Sequence, residues 1–122
     1  MTAREVPQMK LFLASFRHPR ARLFRRNILN ITAQDLHTGS IFQARSGIKG
    51  QCDVYAYMRG GRGVEIEFKA QRGKRSEGQE AWRVFCQAWG IPWVQLEAVD
   101  GDDTATLAKW TRELNEFLKG VE

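Results

Sequence analysis

The chain has 122 residues, 43% of them hydrophobic, enough for one compact domain with a single core and too few for two, so residues 1–122 are read as one unit. A formal net charge of +5 favours a polyanionic partner. No apolar run approaches the roughly 18 residues that cross a membrane, no secretory pattern is present and Cys52 and Cys86 lack C-x-x-C spacing, which excludes a membrane-spanning reading and leads us to expect a cytoplasmic protein with free thiols.

The charge is unevenly spread. Arg4, Lys10, Arg17, Arg20, Arg22, Arg25 and Arg26 face Glu5 alone, and a second basic stretch runs from Arg45 to Arg75, whereas the chain from Glu97 onward is acidic. If the two basic regions meet in space, they form one positive face suited to a phosphate backbone. His18 and His37 have no partner at metal-ligand spacing and read as surface or loop residues.

In chain order, Thr2-Ala3-Arg4-Glu5 has the form of a capping box, and Met9, Leu11, Phe12, Leu13 and Phe16 supply the apolar face of a helix ending near Arg17, with Pro7 a candidate for its true start. Ala21 to Asn27 suits a strand. The polar stretch from Asn30 to Gly47 is ambiguous, with Ile41 and Phe42 its strong core candidates. In Cys52 to Met58 and Val64 to Ala70, apolar and polar residues alternate, giving two half-buried strands joined at Gly60-Gly61-Arg62-Gly63. Ser76-Glu77-Gly78-Gln79 opens a helix as an S-x-x-Q capping box. Trp82, Phe85 and Trp89 follow at core spacing, and Gly90 closes it. A strand from Trp93 to Ala98 and a helix striped by Leu107, Trp110, Leu114, Phe117 and Leu118, stopping at Gly120, complete a mixed α/β layer fold.

Glu67 and Lys69, at i and i+2 of a strand, project from one face roughly 7 Å apart at the backbone. Hydrolysis of a phosphodiester needs a hard divalent cation held by carboxylate oxygens, and a neighbouring lysine can orient the attacking water. Asp53 would be the second carboxylate. A two-residue Gly60-Gly61 turn would pair Val54 with Glu67 and scramble the faces; a three- or five-residue loop keeps apolar with apolar and brings Asp53 to the face of Glu67 and Lys69.

Gly50-Gln51-Cys52-Asp53, then Glu67-Phe68-Lys69, then Gly73-Lys74-Arg75-Ser76 running into Gln79, resemble the PD-(D/E)XK nucleases and, within them, the VRR-NUC group. The likeness spans roughly Arg22 to Ala98, and Arg25-Arg26-Asn27 is similar to a basic lead-in of that group. It implies a restriction-endonuclease-like core, a mixed β-sheet flanked by helices. It also implies Mg²⁺ or Mn²⁺ held by Asp53, Glu67 and the main-chain carbonyl of Phe68, with Lys69 beside the water and Gln79 completing the site. The first helix of the family offers a glutamate, for which Glu5 is the one candidate. Cys52 stands where the family pattern has proline. Arg25, Arg26, Lys49, Arg72, Lys74 and Arg75 are the candidate DNA contacts, and the implied activity is cleavage of branched DNA such as four-way junctions.

Each residue has a plainer reading. Glu67 and Lys69 suit a solvated strand face, Asp53 a strand start, Gln79 a helix cap alone or together with a catalytic role, and Arg72, Lys74 and Arg75 a solvated charge run. Trp82, Phe85 and Trp89 are expected in the core rather than under bases. The rival functions are a nucleic-acid-binding module that keeps the fold without cutting and an assembly protein using the last helix. A junction's approximate two-fold symmetry leads us to expect a homodimer, with the Trp110-Leu114-Phe117 stripe packed either on its own domain or across the axis.

Overall fold

Met58 ends one arm of a tight turn: its amide donates to the Arg62 carbonyl at 2.8 Å, and its carbonyl accepts from Gly61 at 2.9 Å. Gly60 and Gly61 take φ values of 104° and 96°, which side-chain-bearing residues rarely adopt. The loop is therefore the three residues Arg59, Gly60 and Gly61, and it sets the face-preserving register. In the computed structural model, which describes residues 5–26, 30–45 and 48–121, Val54 pairs with Ile66, Tyr55 with Glu65 and Ala56 with Val64.

These strands, β4 (Val54–Met58) and β5 (Gly63–Lys69), are the centre of the sheet. Before them come α1 (Glu5–Ser15), β1 (Ala21–Arg25), β2 (Asn30–Gln34) and β3 (Ile41–Arg45); after them come α2 (Glu77–Trp89), β6 (Trp93–Glu97) and α3 (Asp103–Val121). The order β1-β4-β5-β6 makes one four-stranded sheet, antiparallel except for the β5–β6 pair. It is a mixed sheet flanked by helices, a small α/β domain. None of the described helices is long and apolar enough to cross a membrane.

One face of the sheet carries the core. Val54, Ala56, Met58, Val64, Ile66, Phe68 and Leu96 meet Met9, Phe12 and Phe16 of α1 and Trp110, Leu114 and Leu118 of α3. Phe68 and Phe12 approach the Trp110 ring edge-on at 4.9 and 5.7 Å. The α3 stripe is thus spent on its own domain, which removes the route to a homodimer through Trp110 and Leu114. Pro7 is tolerated because it lies in the first turn of α1, where amides have no helical acceptor. The capping box expected at Thr2 to Arg4 lies outside the described residues, as does Asn27.

Three expectations are corrected. The stretch around residues 30–45 is a second, two-stranded hairpin, β2–β3, closed by a turn in which the Asp35 carboxylate accepts from the amides of His37 and Thr38. Ile41 is 73% exposed, so it is no core residue; the Phe42 side chain lies outside the described set. Helix α3 runs past Gly120 to Val121. On α2, Trp89 is 74% exposed and Phe85 and Val84 are also exposed, while Cys86 is the one buried residue of that helix. The stripe runs from half-buried Trp82 out to the surface, with Phe85 5.0 Å from Trp82 and 5.4 Å from Trp89.

Candidate active site

The polar parity of β5 is not solvated. Glu65, Glu67 and Lys69 retain 6%, 2% and 7% of their exposure. An apolar core covers one face of the strand, and the start of α2 with the chain before β4 covers the other. Burying charge is unfavourable unless each group is paired and hydrogen-bonded, and these groups are.

Gln79 makes the pairing. Its Oε1 accepts from Lys69 Nζ at 2.7 Å and from the Ser76 amide at 2.9 Å, and its Nε2 donates to Glu67 Oε1 at 3.1 Å. Lys69 Nζ lies 3.9 Å from the same Glu67 oxygen. The Gln79 amide donates to Ser76 Oγ at 3.2 Å, completing the capping box read from S-x-x-Q. The cap and the site are therefore one structure: the bond that starts α2 also fixes the amide between lysine and carboxylate.

Asp53 reaches this place from the other side. It sits in a bend just before β4, half-buried, and the β4–β5 register continued by one residue sets it opposite Glu67. Its carbonyl accepts from the Arg26 amide at 2.6 Å. The preceding turn is pressed onto the start of α2: a Cβ on Gly50 would stand 2.1 Å from the carbonyl carbon of Gly78 and 2.6 Å from the Gln79 nitrogen. Cys52, beside Asp53, is fully buried; desolvation, then the charge of Glu67 and of Glu65, pushes its thiol far above the ordinary range, and the thiol donates to Glu67.

A second network supports the first. Arg26 grips Glu65 with two bonds, 2.9 and 3.0 Å, donates to the Cys52 carbonyl at 2.6 Å and lies over the Tyr55 ring. Trp82 Nε1 adds a third donor to Glu65 at 2.9 Å. Burial opposes the Arg26 charge, but hydrogen bonding and attraction to Glu65 outweigh it and raise its pKa. Arg26, expected to touch DNA, is thus committed to holding the chain before β4 against β5. Glu65 was legible as a site-supporting residue, since it shares parity with Glu67 and Lys69. Gly78 in the first turn of a helix was the sign of a close backbone approach.

The other candidate DNA contacts divide. Arg25 has the parity of Leu23 and pairs with Val54, so it lies on the core side of the sheet, away from the carboxylates. Arg75 bonds Gln95 and Glu80 and stacks on Trp93 at 4.9 Å. Lys49, Arg72 and Lys74 are exposed around the site, with Arg72 in a left-handed conformation (φ 59°) and its amide bonded to Glu97. Glu5 opens α1, and its side chain lies outside the described residues.

A hard cation takes oxygen donors and keeps water where the protein supplies few of them. The amide of Glu65 bonds toward Pro92 and the carbonyl of Lys69 toward Ala98, so the alternation of main-chain groups turns the Phe68 carbonyl to the β4 side, where the ladder has ended at Val54. The register continued past Val54 sets Asp53 across from Glu67, and that carbonyl faces the same side. Among the described residues no group of three His, Cys, Asp or Glu side chains is placed to hold a metal; the donors expected from the sequence, Asp53, Glu67 and the Phe68 carbonyl, are oxygens of the type that Mg²⁺ takes.

No protein-family model, curated protein or solved structure matches this chain.

Proposed function

We propose that the chain is a divalent-metal-dependent DNA endonuclease on a PD-(D/E)XK core, hydrolysing phosphodiester bonds in branched DNA such as four-way junctions. The observation that carries this reading is the buried chain Lys69–Gln79–Glu67, with Asp53 at the adjacent sheet position. Burying a lysine and a glutamate in one hydrogen-bonded set, at the rim of a basic chain, is costly as pure architecture and common where groups must be pre-positioned.

Asp53, Glu67 and the Phe68 carbonyl would hold Mg²⁺ or Mn²⁺. When bound, the ion supplies Lewis-acid polarisation of the phosphate and a more acidic water. Lys69, restrained by Gln79 at 2.7 Å, holds its ammonium toward the space beside the carboxylates, where it orients water and offsets negative charge developing on the phosphate. Gln79 acts through both neighbours, keeping the lysine and Glu67 in fixed rotamers. Lys49, Arg72 and Lys74 supply exposed cations for flanking phosphates.

The test is a panel of duplex, nicked, flapped and four-way DNA incubated with and without Mg²⁺. The expected result is metal-dependent cleavage favouring branched substrates, lost in Lys69→Ala with binding retained. Binding without cleavage under every metal condition would assign the chain to the rival class, a binding module. Symmetric incision of a junction further requires two copies, which sedimentation with and without junction DNA detects; the buried α3 stripe means that any two-fold axis runs through another surface.

A further inference from the structure

We propose that the open sheet face next to the carboxylates, continued around the β1 edge into a basic cleft, binds an unpaired nucleic-acid strand on its way to the site. This deepens the nuclease reading and rests on it for its location. Phe24, Tyr55 and Tyr57 form a ring cluster on this face, with centroids 5.5 to 6.0 Å apart and Tyr57 53% exposed. The register sets Phe24 beside Tyr55 and Tyr55 beside Glu65, and Tyr55 is two residues from Asp53. The Tyr55 ring lies under Arg26, so a base on the exposed Phe24 or Tyr57 ring sits one to two side-chain steps, roughly 7 to 14 Å, from Asp53 along the face.

The charges follow the rings. Arg22 lies over Phe24 at 5.9 Å, and Arg22 and Tyr57 both line a cleft of about 690 Å³ that Arg17, His18, Arg20 and Arg59 also line, without one acidic side chain. The two basic regions of the sequence meet there, where the Arg59 amide donates to the Arg20 carbonyl at 2.7 Å. On the other side, Tyr55 and Tyr57 share a groove of about 350 Å³ with Trp82, Arg26 and Arg62, where the one acid, Glu65, is bonded to Arg26 and Trp82. Cations along a groove with aromatic rings beside them are what a single strand requires: phosphates meet arginine and bases meet rings. Paired duplex bases expose no face to such rings. A second copy of this chain is the poorer occupant, because a two-fold contact here would bring two sets of arginines together.

Anisotropy of a labelled oligo-dT strand and of a blunt duplex of equal length, measured in chelator, tests this apart from cleavage. The expected result is that the double variant Phe24→Ala, Tyr57→Ala loses about tenfold or more in affinity for the single strand and little for the duplex, whereas Phe24→Tyr with Tyr57→Phe retains both. The pair Arg22→Ala, Arg59→Ala lowers the log–log salt slope for the single strand by about 1 to 2. Equal single-strand affinity in the ring-deleted and ring-retaining variants overturns the proposal, as does self-association that the ring deletion abolishes. Single-strand binding that meets these expectations in a protein that never cleaves leaves the binding face standing and removes the nuclease reading alone.

Discussion

Gly50 and Gly78 touch backbone to backbone: a Cβ added to Gly50, whose φ is +87°, would overlap the carbonyl carbon and oxygen of Gly78 at 2.1 Å. The contact is the point where the chain leading into Asp53 meets the helix carrying Gln79. Gly50→Ala meets both a forbidden dihedral and a rigid backbone obstacle, so the loop must lift. We expect a loss of more than about 2 kcal/mol of stability and at least a hundredfold loss of cleavage, about 3 kcal/mol in barrier, although no candidate ligand is altered. Denaturation and cleavage assays on this single variant check it; wild-type activity would show that the approach is not needed.

Asp53 and Glu67 should separate in stability. Asp53→Asn abolishes cleavage with little change in thermal midpoint, because Asp53 is half-exposed and precedes the ladder. Glu67→Ala abolishes cleavage and also costs about 3 kcal/mol, because it leaves the buried Lys69 ammonium without the carboxylate 3.9 Å away. A Glu67→Ala protein as stable as wild type would mean that the pair is not coupled.

The dual role of Gln79 can be divided with Ser76. Ser76→Ala removes the oxygen that accepts from the Gln79 amide and costs about 1 kcal/mol, with cleavage retained. Gln79→Ala loses the bonds to Lys69 and Glu67 as well and is expected to slow cleavage at least about tenfold. Equal rates for the two variants would reduce Gln79 to a cap.

Glu65→Ala strands the Arg26 guanidinium and the Trp82 indole together. We expect a loss of about 2–3 kcal/mol in denaturant unfolding, moderated because Arg26 keeps some solvent contact. Glu65→Gln retains an acceptor for Trp82 and should lose less.

Burial holds the Cys86 thiol up to about 11 and Cys52 still higher, against an ordinary value of 9.0. The folded chain then keeps protons that the unfolded chain releases, so this stabilisation is full below pH 9 and lost as pH rises from 9 toward 11 and beyond. Denaturation midpoints across that window should fall more steeply for wild type than for Cys52→Ser, which keeps a donor for Glu67 and does not titrate there. Parallel curves would remove the thiol from the account.

Alternation in the two central strands put Glu67 and Lys69 on one face, because strand side chains repeat every two residues, and it required an odd loop length for Asp53 to share that parity; the three-residue loop of the structure supplies that register. The S-x-x-Q cap and the closing Gly90 were legible for the same local reason: capping involves only neighbours in the chain. Whether that face is wet or buried was not local. Glu67 and Lys69 are enclosed because α2 returns over β5 and because Gly50 lets the chain before β4 close against α2, contacts between segments far apart in sequence. Helical spacing likewise identified the Trp82-Phe85-Trp89 stripe but not its neighbour; Trp82 turns its indole to the buried Glu65, while Phe85 and Trp89 face out. Arg26 shows the same division, since its charge was evident from the sequence, and only the sheet order β1-β4-β5 determined that it reaches across β4 to Glu65 before it can meet a phosphate.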